Sequence, residues 1–216
     1  MATTLTALHP KGGRCTSIAR PTVLAVLHPK GGVGRSTTVW QLGAELALRG
    51  KRVRIEDLDQ GRHLSRVFER HPLGLQNLEL NDGNSASDRS DIDLVLLDTA
   101  PEAHREHALG VLHRADWILV PVKGPEEGSV QALPMLMQWV AEAGRARVLG
   151  FLPTMYKPRR AETRYWMAEL EAFAARYQVR VLSPIGDLAS VAAWRLDGHP
   201  YAPVAQEVLR AHTHQA

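Results

Sequence analysis

Short apolar runs, separated by longer segments with helical spacing, dominate the hydrophobic pattern of this chain. Val23-Leu24-Ala25-Val26-Leu27 is the first run, and Arg52 to Glu56 alternates apolar and charged residues. Most of the runs are continuous rather than alternating, which is typical of strands that are buried on both faces of a parallel sheet. The pattern predicts further strands over residues 94–97, 117–120, 148–152 and 179–182.

Helical spacing fills the gaps between these predicted strands. In residues 36–49, Val39, Leu42 and Leu46 share one face, and Gly50 can adopt the left-handed conformation that ends a helix. Strands that alternate with helices predict a single α/β domain, with a mostly parallel, twisted sheet and helices on both faces. The other predicted helices span about 103–113, 127–142, 160–177, 187–196 and 203–212, and the polar stretch 81–91 is predicted to be a loop.

A glycine-rich loop joins the first predicted strand to the first predicted helix. Such a loop binds phosphate when its glycines let backbone N–H groups close around phosphate oxygens, a cation meets the β- and γ-phosphates, and a hydroxyl reaches Mg²⁺. The positive end of the helix dipole then also faces the phosphates. The order strand, loop, helix is the one that this chemistry requires, so we expect a nucleotide to bind at Gly31, Gly32, Val33, Gly34, Arg35, Ser36 and Thr37.

Three aspartates stand at the ends of predicted strands. Asp57 and Asp59 follow the second strand, and Asp98 ends the run Leu94-Val95-Leu96-Leu97. Ligands of parallel sheets bind at the carboxyl ends of the strands, where these carboxylates should converge beside the loop. Asp98 has the position from which a Walker-B carboxylate holds Mg²⁺. The sequence therefore predicts Mg²⁺ and a reactive water next to the nucleotide.

Length and composition agree with one globular domain. The chain has 216 residues, 44% of them hydrophobic, and no apolar run approaches the ~20 residues that cross a bilayer. Cys15 is the one cysteine, which excludes internal disulfides and suits a reducing, cytoplasmic location. The formal net charge of +3 does not by itself indicate nucleic acid, although residues 1–44 contain no Asp or Glu. Ten histidines show no spacing typical of a metal site and are interpreted as scattered over the surface.

Residues 1–20 are predicted to form a flexible basic tail ahead of a domain that spans residues 21–216. The tail contains Leu8-His9-Pro10-Lys11-Gly12-Gly13, which is repeated as Leu27 to Gly32. The first copy lacks the last glycine and a following amphipathic helix, so we do not expect it to enclose phosphate. The absence of a continuous apolar segment argues against a cleaved signal.

Lys30, two residues before Gly32, the element Asp57-Leu58-Asp59 and the element Leu96 to Pro101 together resemble the ParA/MinD family of deviant Walker A ATPases, with the closest similarity to ParA partition proteins. The resemblance runs from about Thr22 to Arg210. It implies a single-domain P-loop NTPase fold, ATP or ADP with Mg²⁺ as cofactors, and a nucleotide-sandwich homodimer that forms when ATP binds.

The resemblance also implies roles for individual residues. Lys30 would reach across the dimer to the partner's phosphates, and Asp59 would orient the attacking water. Ser36 and Asp98 would hold Mg²⁺, with Asp57 close to its shell. The expected catalytic residues are therefore Lys30, Asp59 and Arg35, the expected metal-binding residues are Ser36, Asp57 and Asp98, and Thr154, Met155 and Pro184 would line the adenine.

Three departures from the family pattern affect these expectations. Arg35 replaces the usual lysine, and a planar guanidinium is bulkier than an ammonium, so we expect nucleotide binding with weak hydrolysis. Gln60-Gly61 follows Asp59 without the usual proline. The turn Ser183 to Asp187 lacks an arginine that is often found in partition ATPases that bind DNA.

The leading functional hypothesis is an ATP-switched DNA segregation protein, associated with the nucleoid in the cytoplasm. Its ATP-bound dimer would bind nonspecific DNA, and a cognate ParB-like partner protein would stimulate slow hydrolysis and release. The candidate DNA contacts are Lys157, Arg159, Arg160 and Arg195.

Several alternatives remain open. A nucleotide-gated scaffold would bind ATP or ADP with little turnover, as Arg35 suggests. A MinD-like cell-division regulator should end in an amphipathic membrane helix, but residues 208–216 are too polar for an anchor, so we expect no membrane partner. Iron–sulfur reductases of this superfamily need more cysteines than Cys15, its tyrosine kinases carry terminal tyrosine clusters that this chain lacks, and ligases similar to dethiobiotin synthetase are a minor alternative.

Overall fold

A six-stranded, all-parallel sheet forms the centre of the molecule. The computed structural model describes residues 20–81, 91–100 and 104–213. The strands are β1 (Thr22–Val26), β2 (Val53–Asp57), β3 (Leu78–Asn81), β4 (Leu94–Asp98), β5 (Trp117–Lys123) and β6 (Arg147–Thr154). Their order across the sheet is β3-β2-β4-β1-β5-β6, and every pairing is parallel. The predicted α/β fold with a mostly parallel sheet is confirmed.

Eight helices within the described residues connect and cover the strands. They are α1 (Arg35–Leu48), α2 (His63–Arg70), α3 (Arg105–Arg114), α4 (Glu127–Gln131), α5 (Leu133–Ala143), α6 (Ala161–Arg176), α7 (Ala189–Ala192) and α8 (Ala202–Thr213). Gly50, with φ of 81°, follows the end of α1 in the left-handed region, as predicted.

Two hydrophobic layers cover the two faces of the sheet. Because side chains alternate along a strand, Leu24 and Val26 of β1 join one layer, whereas Ala25 joins the other. The first layer includes buried residues of α1, α2 and α8. The second includes buried residues of α3, α5 and α6. Both faces of the sheet are therefore buried, which explains the continuous apolar runs in the sequence.

The structure differs from the predicted elements at three places, each with a physical reason. Residues 179–182 form only an isolated bridge between Phe151 and Val181, because Pro153 and Pro184 have no N–H to continue a ladder. The helix predicted over 127–142 is divided at Ala132, just before Pro134 in the first turn of α5. The helix predicted over 187–196 is limited to α7, and Trp194 beyond it has a left-handed φ of 55°.

Two elements, α2 and β3, were not predicted. The four residues of β3 are all half-buried at the edge of the sheet, and α2 is strongly polar on one side. Asn81, predicted to begin the loop 81–91, ends β3, and residues 82–90 of that loop lie outside the described residues, whereas Asp91 lies in a turn. The predicted tail, residues 1–20, also lies outside the described residues, with the exception of Arg20. Arg20 donates two hydrogen bonds to Asp116, at 2.9 and 2.6 Å. Across the described residues, no helix is long and apolar enough to cross a bilayer.

Candidate nucleotide and magnesium site

The glycine-rich loop lies at the carboxyl end of β1, between β4 and β5 in the centre of the sheet. Gly32 and Gly34 have φ of 72° and 88°, values that side chains with a Cβ rarely adopt. Gly34 is the N-cap of α1, and the first N–H groups of a helix have no acceptor within that helix. The loop therefore presents backbone donors at the positive end of α1, which is the arrangement that binds phosphate.

A hydrogen bond from β6 helps to hold the loop in this shape. The hydroxyl of Thr154, at the end of β6, donates to the carbonyl oxygen of Val33 at 2.9 Å. Both residues are buried, and a Cβ added at Gly34 would lie 4.0 Å from the Thr154 side chain. Thr154 thus supports the loop from the side that was predicted to face the adenine.

Arg35 turns back onto the loop from the first position of α1. Its Nη1 donates to the carbonyl oxygens of His28 and Lys30, each at 2.7 Å, and the residue is only 6% exposed. Its Nε has no hydrogen-bond partner among the described residues. Burial lowers the pKa of the guanidinium, while the charges of Asp98 and Asp59 act in the opposite direction. A buried donor without an acceptor is costly, so this nitrogen suits an anionic ligand.

Asp98, at the end of β4, is fully buried, and neither carboxylate oxygen has a donor at hydrogen-bond geometry among the described residues. Burial raises the pKa of Asp98 to about 7, although the nearby hydroxyl of Ser36 and, to a smaller extent, Arg35 oppose this rise. An orphaned buried carboxylate beside a serine hydroxyl is a donor set that fits Mg²⁺. The structure therefore brings Ser36 and Asp98 together, and their binding of Mg²⁺ stays a prediction.

Asp57 and Asp59 lie at the neighbouring strand end, where Asp57 is paired with Asp98 in the register of β2 and β4. Both carboxylate oxygens of Asp57 accept hydrogen bonds, one from the Asp59 amide at 3.1 Å and the other from the amide and hydroxyl of Ser65, at 2.9 and 2.8 Å. Asp57 thus anchors the first turn of α2 to the sheet. Asp59 accepts from the Gly61 amide at 3.0 Å through one carboxylate oxygen.

Lys30 lies at the start of the loop, and its amine forms an ion pair with Glu126 in the same chain. Glu126 also binds the Lys123 amine at 2.8 Å, and the two lysines, Lys123 first, lower the pKa of Glu126. Lys30 therefore contacts the segment before α4. The structure describes a single chain, so the expected contact of Lys30 with a partner's phosphates stays a prediction.

A cavity opens beside the loop where the adenine was expected. Thr154 and Met155, both expected near the base, line it together with Gly34 and Thr37 of the loop. Pro184 is exposed, and the next residue, Ile185, lines the cavity instead. The other walls come from Gly186, Asp187, Leu188, Val191, Ala192 and Tyr201.

The four residues suggested for DNA binding have different surroundings. Lys157 pairs with Asp187 at 2.6 Å, and Arg195 pairs with Asp197 at 3.2 Å. Arg159 and Arg160 are exposed and precede α6. The two acidic partners reduce the local positive charge, so Arg159 and Arg160 are the stronger candidates of the four.

Sequence reasoning missed three residues around the site. His28 was grouped with surface histidines but is fully buried behind the loop. Glu126 and Ser65 hold Lys30 and Asp57, and nothing in their spacing indicates this. The position of His28 between an apolar strand and a phosphate loop could have indicated burial.

Among the described residues, no group of three or more His, Cys, Asp or Glu is arranged to hold a metal ion.

Comparison with known proteins identifies the family of the chain. The family profile described as CbiA, the CobQ/CobB/MinD/ParA nucleotide binding domain, matches residues 24–201. Among curated protein sequences, none matches the chain significantly.

Solved structures share the fold over nearly the whole chain. Cobyrinic acid a,c-diamide synthase from Mycobacterium smegmatis, with bound ADP and magnesium, has a TM-score of 0.69 and 23% identity over 91% of this chain and 97% of that one. A single-residue variant of McdA from Cyanothece, in complex with ATP, has a TM-score of 0.70 and 16% identity, covering 90% and 96% of the two chains. A plasmid partition protein from Borrelia burgdorferi has a TM-score of 0.63 and 16% identity, covering 88% and 99%.

Proposed function

Since the chain belongs to the CobQ/CobB/MinD/ParA nucleotide-binding domain family, we propose that it is an ATP-dependent DNA segregation ATPase. In this proposal the chain binds ATP with Mg²⁺, forms a homodimer in the ATP state, and associates with the nucleoid through nonspecific DNA contacts. A ParB-like partner protein stimulates slow hydrolysis and resets the dimer. The occurrence of a plasmid partition protein and McdA among proteins of the same fold supports this choice of function.

The observation that carries the proposal is a pair of buried groups of opposite charge around one glycine loop. Within the part of the chain that the structure describes, the Nε of Arg35 has no acceptor and the Asp98 carboxylate has no donor at hydrogen-bond geometry, so the first suits an anion and the second suits a cation. A nucleotide with its magnesium satisfies both at once. Ser36 and Asp98 would hold Mg²⁺, which when bound neutralises charge on the phosphates.

The chain's own residues divide the remaining tasks. The loop amides and Arg35 bind the phosphates, and the cavity lined by Thr37, Thr154 and Met155 takes the base. Asp59 uses one carboxylate oxygen to hold the Gly61 amide, and we assign its other oxygen to the attacking water. Lys30 leaves Glu126 to contact the phosphates of the second subunit.

The experiment that tests this function is analytical ultracentrifugation with ATP or ADP, with and without Mg²⁺. The wild type should be a dimer with ATP and Mg²⁺ and a monomer with ADP, and Lys30→Ala should have a much weaker, still measurable ATP-dependent dimer while it still binds a fluorescent ADP analogue. Glu171→Ala, at an exposed position of α6, is a control for surface changes. A wild-type chain that remains monomeric with ATP and Mg²⁺ would contradict the proposal.

A nucleotide-gated scaffold with little turnover is a second candidate, favoured by the two bonds from Arg35 to carbonyl oxygens of its own loop. These bonds hold the guanidinium at the loop backbone, where a lysine ammonium would have fewer fixed directions. Steady-state ATPase with DNA and partner protein distinguishes the two functions. Undetectable hydrolysis together with an intact ATP-dependent dimer would favour the scaffold.

A further inference from the structure

His28 occupies a position at which three parts of the site meet. It lies two residues after the end of β1, has no solvent exposure, and lies at the base of the loop. Its Nδ1 accepts a hydrogen bond from the Lys30 amide at 2.9 Å, and its Nε2 lies 2.9 Å from the carbonyl oxygen of Ser129 in α4. Its own carbonyl oxygen accepts from Arg35. One ring therefore joins the loop backbone to α4.

These two contacts determine the protonation state of the ring. Nδ1 must be unprotonated to accept from an amide, so Nε2 must carry the proton that is donated to the Ser129 carbonyl. A doubly protonated ring would lose the bond to Lys30. Burial, aided by the nearby charges of Arg35 and Lys30, lowers the pKa of His28 to about 4, so the ring stays neutral near pH 7.

The side chain of Lys30 reaches the same segment that His28 holds. Its amine pairs with Glu126, three residues before Ser129. Gly128 lies beneath the amine, where an added Cβ would be 2.8 Å from the lysine Nζ. Backbone and amine of Lys30 are thus both positioned against residues 126–129.

We propose that His28 is a positioning residue for Lys30. It fixes the backbone of Lys30 against the first turn of α4 and thereby sets the direction of the lysine amine, both in the ion pair with Glu126 and in the ATP-bound dimer. The second part rests on the proposed function. An apolar side chain of similar volume would fill the same space but would make neither hydrogen bond.

Three substitutions separate positioning from packing. His28→Asn retains an acceptor for the Lys30 amide but cannot reach Ser129, His28→Gln retains a donor for Ser129, and His28→Leu retains only the volume. If His28 positions Lys30, the Leu variant should have the weakest ATP-dependent dimer, with a dissociation constant raised about tenfold, the effect expected from losing two hydrogen bonds of the His28 ring. Its affinity for a fluorescent ADP analogue should change much less, because the His28 ring contacts the Lys30 amide and Ser129 and does not line the cavity expected to hold the base. His107→Leu, on the exposed face of α3, is the control.

A double variant tests whether His28 acts through Lys30. Adding His28→Leu to Lys30→Ala should weaken the dimer little further, because coupled residues are not additive. A Leu variant that dimerises like the wild type, or one that weakens Lys30→Ala by the full tenfold, would overturn the proposal.

NMR tests the positioning of Lys30 by His28 even if the chain forms no dimer. The His28 ring, assigned by its loss in His28→Asn, should show the Nε2–H form without titrating between pH 5.5 and 8, based on the pKa of about 4. The Lys30 amide should exchange with solvent at least about tenfold faster in the Gln and Leu variants than in the wild type and Asn variant. A ring protonated at Nδ1, or equal exchange in all four proteins, would refute the positioning role. A missing dimer with the expected NMR result would refute only the proposed function.

Discussion

Arg35 is the residue whose chemistry departs furthest from a lysine-based phosphate loop. Its Nη1 is held by two loop carbonyls, and its buried Nε lacks a partner in the described part of the chain. The guanidinium keeps the positive charge of a lysine, but its planar fork directs the donors along fixed lines. Binding of phosphate requires mainly the positive charge of this residue, whereas phosphate transfer also requires that its donors hold the γ-phosphate in the correct position.

Replacing Arg35 with lysine should separate these demands. We expect Arg35→Lys to raise the steady-state ATPase rate about 10- to 100-fold, because an error of ~1 Å in position can cost about a hundredfold in rate. The affinity for ATP should change much less. Arg176→Lys, at an exposed position at the end of α6, is the control for replacing an arginine with a lysine outside the site. A lysine variant that is no faster than the wild type would count against misplacement by Arg35.

The burial of Asp98 makes the free energy of unfolding depend on pH, and the ionised carboxylate lowers it at neutral and higher pH. Its pKa of about 7 in the folded chain exceeds the ordinary value of 3.8, so the folded state binds the proton more tightly. The resulting stabilisation is complete below pH 3.8 and is lost as the pH rises through about 7.

We therefore expect Asp98→Asn to be more stable than the wild type at pH 8 without metal, by up to about 4 kcal/mol, with the difference vanishing near pH 4. Denaturant unfolding across this pH range measures the difference. The same variant should lose the Mg²⁺ dependence of nucleotide binding, since it removes the anionic ligand. Equal stability of both proteins at pH 8 would mean that the carboxylate is not held in a desolvated site.

At the scale of elements, Glu126 just before α4 and Ser129 within α4 determine the environment of Lys30. Glu126 pairs with Lys30 and Lys123, and Ser129 is tied to His28. The amine of Lys30 can contact a second subunit only after the ion pair with Glu126 has separated. The ion pair is partly exposed, with side-chain exposures of 36% and 29%, so its strength should be small.

Removing the charge of Glu126 should consequently favour the ATP-dependent dimer. We expect Glu126→Gln to tighten dimerisation up to about fivefold, which corresponds to the roughly 0.2–1 kcal/mol of an exposed ion pair. Sedimentation equilibrium with ATP and Mg²⁺ measures this change. Glu142 of α5 forms a comparable exposed ion pair with Arg105 of α3, so Glu142→Gln serves as the matched control. Weaker dimerisation of Glu126→Gln would show that Glu126 assists the dimer instead.

The strands also show which sequence patterns were sufficient to predict a strand. Continuous apolar runs predicted β1, β4 and β5, because strands in the middle of a covered sheet are buried on both faces. The edge strand β3 is only half-buried and has no such run. Residues 179–182 have the composition of a strand, but the prolines on both sides of the pairing limit it to a bridge.

At the scale of the whole molecule, the proposed DNA binding would depend on positive charge, and a single chain concentrates little of it at the four candidate residues. Asp187 and Asp197 partly neutralise Lys157 and Arg195, which leaves Arg159 and Arg160 as the exposed pair before α6. A dimer would present this pair twice, and attraction between a basic surface and DNA phosphates does not depend on base sequence.

We expect ATP-dependent binding to duplex DNA with a slope of log K against log[salt] of about −3 to −4, as for contact with about four phosphates. Replacing both Arg159 and Arg160 with alanine should make the slope much shallower for every DNA sequence tested, because both subunits lose their contacts. Fluorescence anisotropy at several salt concentrations gives the slope, and Arg176→Ala, at the opposite end of α6, is the control. An unchanged slope would place the DNA contacts elsewhere.

The sequence by itself determined the fold class and the place of the glycine-rich loop between β1 and α1, because both depend on local periodicity and on a motif whose spacing is short. Only the tertiary structure decided what Arg35, Lys30 and His28 contact. Their partners lie on the loop backbone, before α4 and in α4, up to 101 residues away in the chain. Local sequence does not record which distant carbonyl or carboxylate a buried side chain will meet, since that depends on how the strands and helices pack.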